Sequence, residues 1–95
     1  MTEREILRRN VQRNGAAVQI DKAIEEMAEL TQALMKWRHS RGEQKFEHVC
    51  EEIADVKITV MELQMVLDEM SNNDATNQID NWTHTKMKRI EATIL

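Results

Sequence analysis

Apolar positions recur at spacings of three and four along almost the whole chain, and each break in that rhythm is polar or glycine-containing. Such recurrence lines apolar side chains along one face of an α-helix. The pattern predicts four helices. Thr2 and Glu5 have capping-box spacing, so the first helix is expected to start at Thr2. It carries Ile6, Leu7 and Val11 and should stop near Asn14-Gly15. A second helix is predicted from Ala17 to Arg38, with a stripe of Ile20, Ala23 or Ile24, Met27, Leu30, Leu34 and Trp37. His39-Ser40-Arg41-Gly42 reads as a loop. The third helix should be the longest, from Gln44 to Met70. After a polar break at Ser71-Asn72-Asn73-Asp74, a fourth runs from Ala75 to Leu95, with Ile79, Trp82 or Thr83, Met87, Ile90 and Ile94 inward.

The third helix has two apolar stripes. Phe46, Val49, Ile53, Val56, Val60, Leu63, Leu67 and Met70 alternate three and four, as in an a/d seam. Ala54, Ile58, Met61 and Met65 lie on a different face. A helix apolar on two faces is packed on two sides. Four helices are too few to cover both, so the second face is expected to meet another copy. The expected assembly is a homodimer, or a homotetramer built as a dimer of dimers. Pro is absent and there are only two Gly, which suits an all-α chain. The predicted fold is one domain over residues 1–95. It is a helical bundle of two long antiparallel central helices with shorter terminal helices around them.

Composition narrows the function classes. At 95 residues a lone copy buries a modest share of its surface. Aromatics are 3% of the chain, so the core must be aliphatic and Met-rich. A net charge of −4 gives no support for binding a nucleic-acid polymer or an anionic membrane. The single cysteine, Cys50, excludes an internal disulfide and reads as buried packing. No apolar run approaches the ~20 residues of a membrane span. Met1-Thr2-Glu3-Arg4-Glu5 is too charged for a signal peptide. A cytoplasmic protein is expected.

Charge then supplies the candidate chemistry. Glu25-Glu26-x-x-Glu29 and Glu51-Glu52-x-x-Asp55 lie within the second and third helices. Acids three apart on a helix share a face and repel. A divalent cation between the helices turns that repulsion into binding. On a wheel at 100° per residue, Glu26, Glu29, Glu52 and Asp55 flank the apolar stripes, whereas Glu25 and Glu51 turn further away. Packed antiparallel, the helices can converge four carboxylates, the oxygen-rich set a hard cation such as Mg²⁺ takes. A di-iron centre needs Glu-x-x-His, and no histidine here has that spacing. One Cys and scattered His disfavour zinc, and His48 and His84 read as surface residues.

The strings EEMAEL and EEIADV resemble the EExxE…ExxD signature of the MazG-like all-α nucleotide pyrophosphohydrolases. The flanks QIDKAIEEMAELTQALMK and RG…EEIADVKITVMEL are similar to the small stand-alone members, and the likeness covers roughly residues 17–67. The tail Lys86-Met87-Lys88-Arg89 resembles the family's basic C-terminal helix more loosely.

The resemblance implies hydrolysis of a nucleoside triphosphate between the α and β phosphates, giving a monophosphate and pyrophosphate. It implies Mg²⁺ as cofactor, with Mn²⁺ as a substitute, and Glu26, Glu29, Glu52 and Asp55 as ligands. A second metal, or a free carboxylate such as Glu29 or Glu25, is the candidate to orient or deprotonate the attacking water. Lys86 and Arg89 are the first candidates for triphosphate contacts, Lys36 and Arg41 the second. Gln19 is a further candidate contact. Trp37 is a candidate base platform, one position from where some relatives place a stacking Trp, and it also reads as core. Phe46 reads as core. The alternative is a non-catalytic helical oligomerisation or interaction protein whose acids only solvate the bundle. A relative that binds nucleotide without hydrolysing it is a third reading.

Overall fold

The computed structural model describes all residues, Met1–Leu95. It contains four α-helices and no strand: α1 (Glu3–Asn14), α2 (Ala16–His39), α3 (Glu43–Met70) and α4 (Asp74–Ile94). The Thr2 side chain accepts a hydrogen bond from the Glu5 N–H at 3.1 Å, so the predicted cap forms. Gly15 ends α1 and starts α2 at φ 85° and ψ 165°, a conformation almost confined to glycine. α2 continues through His39, one residue beyond expectation. Asn72 and Asn73 both have positive φ and turn the chain from α3 into α4. Asp68 fixes that turn by accepting the backbone N–H of Thr76 at 2.7 Å and its hydroxyl.

α2 and α3 pack most closely of all the helix pairs, joined by the three residues between His39 and Glu43. They are antiparallel: Trp37 meets Phe46 at one end, with ring centroids 6.2 Å apart, and Glu26 meets Glu52 and Asp55 further along. The chain is thus the expected all-α bundle with a long central hairpin.

The seam inside that hairpin keeps part of the expected one, Ala23, Leu30 and Trp37 of α2 and Val49, Val56 and Leu63 of α3, and replaces the rest. From α2 it takes Gln19, Ala23, Glu26, Leu30, Ala33 and Trp37, all buried or half-buried. From α3 it takes Val49, Glu52, Val56, Thr59, Leu63 and Val66, again buried or half-buried. Both sets keep the three-and-four rhythm, but they are rotated from the most apolar stripe. Phe46, Ile53, Val60, Leu67 and Met70 were expected in the core and are exposed. So are Ile24, Met27 and Leu34. Seam alanines let the two backbones approach closely, which brings short and polar residues inside and turns the larger aliphatics out. Two of the four acids do not flank this seam as expected: Glu26 and Glu52 lie within it, Glu52 only 5% exposed, whereas Asp55 is half-buried and Glu29 exposed beside it.

Ile58, Met61 and Met65 line a groove of about 620 Å³ that Ile6 and Leu7 of α1 wall on the other side, and Ile58 and Met61 stay 43% and 46% exposed. Cys50 is exposed, not buried. α1 lies across α2 and α3, but α4 contacts only α3 and does not wrap the hairpin. Every residue from Asn77 onward is exposed. The radius of gyration is 16.1 Å, against about 12 Å for a compact chain of this length.

Candidate metal centre

Glu26 comes from the middle of α2, and Glu52 and Asp55 come from successive turns of α3. One carboxylate oxygen from each lies within 4.8 Å of the others. Glu29, the fourth predicted ligand, stands outside that set, yet it is near enough for its charge to act on both Glu26 and Glu52. Glu25 and Glu51 are exposed, as their wheel phase implied.

The site is short of positive charge. Burial pushes the Glu26 carboxyl above the ordinary carboxylate range, and Glu29, Asp55, Glu52 and Glu25 add repulsion in that order. Burial also raises Glu52; Glu29 and Asp55 push it further, His48 lowers it, and Glu51 raises it again. The one ion-pair contact in the chain is His48 Nε2 to Glu52 Oε1 at 3.7 Å. No Lys or Arg reaches the cluster. Glu26 Oε2 and Glu52 Oε2 are buried without any hydrogen-bond donor. Buried acceptors without donors are costly, and carboxylates packed together without cations more so. A hard divalent cation resolves both costs at once, since it takes carboxylate oxygens directly. The residues therefore fit such an ion.

The candidate substrate residues are less gathered. Lys36 is exposed near the end of α2. The Arg41 guanidinium sits 4.3 Å from the centroid of the Trp37 ring, a cation–π contact that holds it over the α2–α3 turn. Trp37 is half-buried at the end of the seam, and Phe46 beside it, expected in the core, is 55% exposed at the rim of the bundle. Lys86 and Arg89 are exposed on α4, which makes no contact with α2, the helix that supplies Glu26. Within one chain the fold does not join them to the acids.

Gln19 is wholly buried, at 0% exposure. Its Oε1 accepts from Asn14 Nδ2 at 2.7 Å, and its Nε2 has no partner. It belongs to a polar network that sequence reasoning missed. Asn10 Nδ2 donates to Glu62 Oε2 at 2.6 Å, and Asn14 Nδ2 also reaches Asn10 Oδ1 at 3.4 Å. Thr59 lies between network and acids and donates to the Asp55 carbonyl at 2.8 Å. The signal was the rhythm itself: Gln19 and Glu62 each lie two turns from an acid of the centre, on the same helix face. His48, read as a surface residue, is the other omission, because it stands beside Glu52.

The chain matches no protein-family model, no curated protein and no solved structure. No helix is long and apolar enough to cross a membrane.

Proposed function

We propose that the protein is a Mg²⁺-dependent nucleoside triphosphate pyrophosphohydrolase, acting in nucleotide-pool cleaning, with Mn²⁺ able to replace Mg²⁺. The observation that carries this reading is the convergence of buried Glu52 with half-buried Glu26 and Asp55, with two carboxylate oxygens lacking any donor. Glu26, Glu52 and Asp55 would hold the ion, and Glu29, whose charge acts on Glu26 and Glu52, would join them or accept the proton of the attacking water. A bound Mg²⁺ supplies charge neutralisation on the phosphate oxygens and a more acidic water. The sequence resemblance adds the bond to be cut, between the α and β phosphates. Lys36 and Arg41, near the α2–α3 turn, are candidate contacts for the substrate, with Trp37 for its base.

The same reading includes a second copy of the chain. By wheel phase, Ile24, Met27 and Leu34 of α2 and Ile53, Val60 and Leu67 of α3 fall on one side of the hairpin, opposite Glu25, Glu29, Glu51 and α1. Two helices side by side over about 30 Å offer on the order of 600 Å² per copy, close to the contribution of one partner to a stable interface. A homodimer covers that face; a homotetramer would also take up α4, whose Trp82, Met87 and Ile90 are exposed. It also offers a route for Lys86 and Arg89 to reach the acids of a neighbour.

The exposed apolar face equally suits a non-catalytic interaction protein, and metal separates the two readings. A pyrophosphate-release assay with common ribo- and deoxyribonucleoside triphosphates and Mg²⁺ is the direct test, with Glu52→Gln and Asp55→Asn as controls. The expected result is Mg²⁺-dependent release that both substitutions abolish. Release that survives both would sink the metal centre. No release, with no metal-dependent rise in melting temperature, would favour the interaction protein. A monomer at micromolar concentration by light scattering would contradict the shared apolar face.

A further inference from the structure

Glu52 belongs to two sets of potential ligands. Besides Glu26 and Asp55, it groups with His48 and Glu51, one atom from each of these three lying within 4.8 Å of the others. His48, Glu51 and Glu52 occupy positions i, i+3 and i+4 of α3, so one turn of helix presents all three on neighbouring sites. The Glu52 Oε1 faces His48 Nε2 at 3.7 Å, while its Oε2 is buried with no donor. The outer members are free to adjust: His48 is about half exposed and Glu51 is exposed. Metal–ligand bonds of about 2.1 Å require ligand atoms roughly 3–4 Å apart, so a modest contraction of those side chains closes the set. Glu52, held in the seam, need not move.

We propose that His48, Glu51 and Glu52 form a second divalent-cation site, distinct in chemistry from the first and joined to it through the Glu52 carboxylate. An all-oxygen set suits Mg²⁺, whereas an imidazole beside two carboxylates favours a first-row transition metal such as Zn²⁺, Co²⁺ or Mn²⁺. The first site lies between the helices and the second on the outer turn of α3, so the shared carboxylate can offer one oxygen to each. Such bridging is the arrangement of two-metal centres. The coupling is reciprocal: an ion in one site changes the affinity of the other by the same factor in both directions. This site shares a ligand with the proposed Mg²⁺ centre but does not depend on catalysis.

The test is calorimetric titration of the full chain with Zn²⁺ alone and with Mg²⁺ alone, in a Cys50→Ser background that removes the exposed thiol. His48→Gln is expected to weaken Zn²⁺ binding by about tenfold or more, in the range that loss of a supporting group produces, and to leave Mg²⁺ binding in place. Asp55→Asn is expected to do the reverse. Circular dichroism checks that each variant stays helical, and the exposure of His48 makes that the expected result. Zn²⁺ binding unchanged by His48→Gln would overturn the proposal. So would loss of both metals on Asp55→Asn, which would mean a single site. Loss of Zn²⁺ on His48→Gln in a chain that never binds Mg²⁺ would uphold this site and sink the Mg²⁺ centre.

Discussion

Glu52 and Glu62 are two buried carboxylates on the same face of α3, yet their surroundings are opposite. Glu62 is 2% exposed and receives a 2.6 Å hydrogen bond from Asn10 of α1. Glu52 is 5% exposed, faces further acids, and keeps an oxygen without a donor. Burial alone therefore does not mark a binding site. At Glu62 the chain supplies the partner from its own first helix, and the result is a tie between α1 and α3. At Glu52 it supplies more negative charge and leaves one oxygen unpaired. α1 makes the difference, because it lies over one end of the hairpin seam and leaves the other without a donor.

The largest expected effect separates the two residues by sign. Glu62→Ala leaves the Asn10 amide without its acceptor and should destabilise the fold by about 1–3 kcal/mol, read as a lower melting temperature. Glu52→Gln removes an unpaired buried charge and should raise the metal-free melting temperature at neutral pH. Equal losses from both would erase the contrast.

Metal sharpens it next. Mg²⁺ at a hundredfold excess over its dissociation constant should stabilise the unaltered chain by about 2.7 kcal/mol. Glu62→Gln should preserve that gain, and Glu52→Gln or Asp55→Asn should abolish it. Thermal melts across a Mg²⁺ series read this directly.

The pH dependence follows from the raised carboxyls. Glu26 and Glu52 hold protons more tightly folded than unfolded. The folded state then binds more protons through that window, so metal-free stability falls as pH rises from the ordinary carboxylate range through their raised values. It is fully present below the unfolded values. Melts from acid to neutral pH should show this decline, and Glu52→Gln should flatten it. A metal-free chain whose stability rises across the same window would contradict the unpaired centre.

The smallest effects belong to the acids at the edge. Glu25→Gln should change stability by no more than about 0.5 kcal/mol and should leave Mg²⁺ stabilisation intact, because Glu25 is exposed and outside the gathered carboxylates.

Helix number, order and near-boundaries were legible in the sequence because they depend on local rules: a three-and-four rhythm, the Thr2 cap, Gly15 at positive φ, and the two asparagines of the α3–α4 turn. The convergence of Glu26, Glu52 and Asp55 was legible as well, since two acidic motifs on neighbouring antiparallel helices have few other places to go. The inner seam was legible in part, at Ala23, Leu30, Trp37, Val49, Val56 and Leu63, but its exact rotation was not. Several phases of α2 and α3 carry apolar residues at acceptable spacings, and their relative rotation depends on which small side chains let the backbones approach. Ala23 and Ala33, at 1% and 3% exposure, decide it by sitting where the helices meet. That rotation turns Ile53, Val60 and Leu67 outward and draws Glu52 in. Only the tertiary structure also paired Glu62 with Asn10, fifty-two residues earlier in the chain, because hydrogen-bond partners at that separation are chosen by packing and not by pattern.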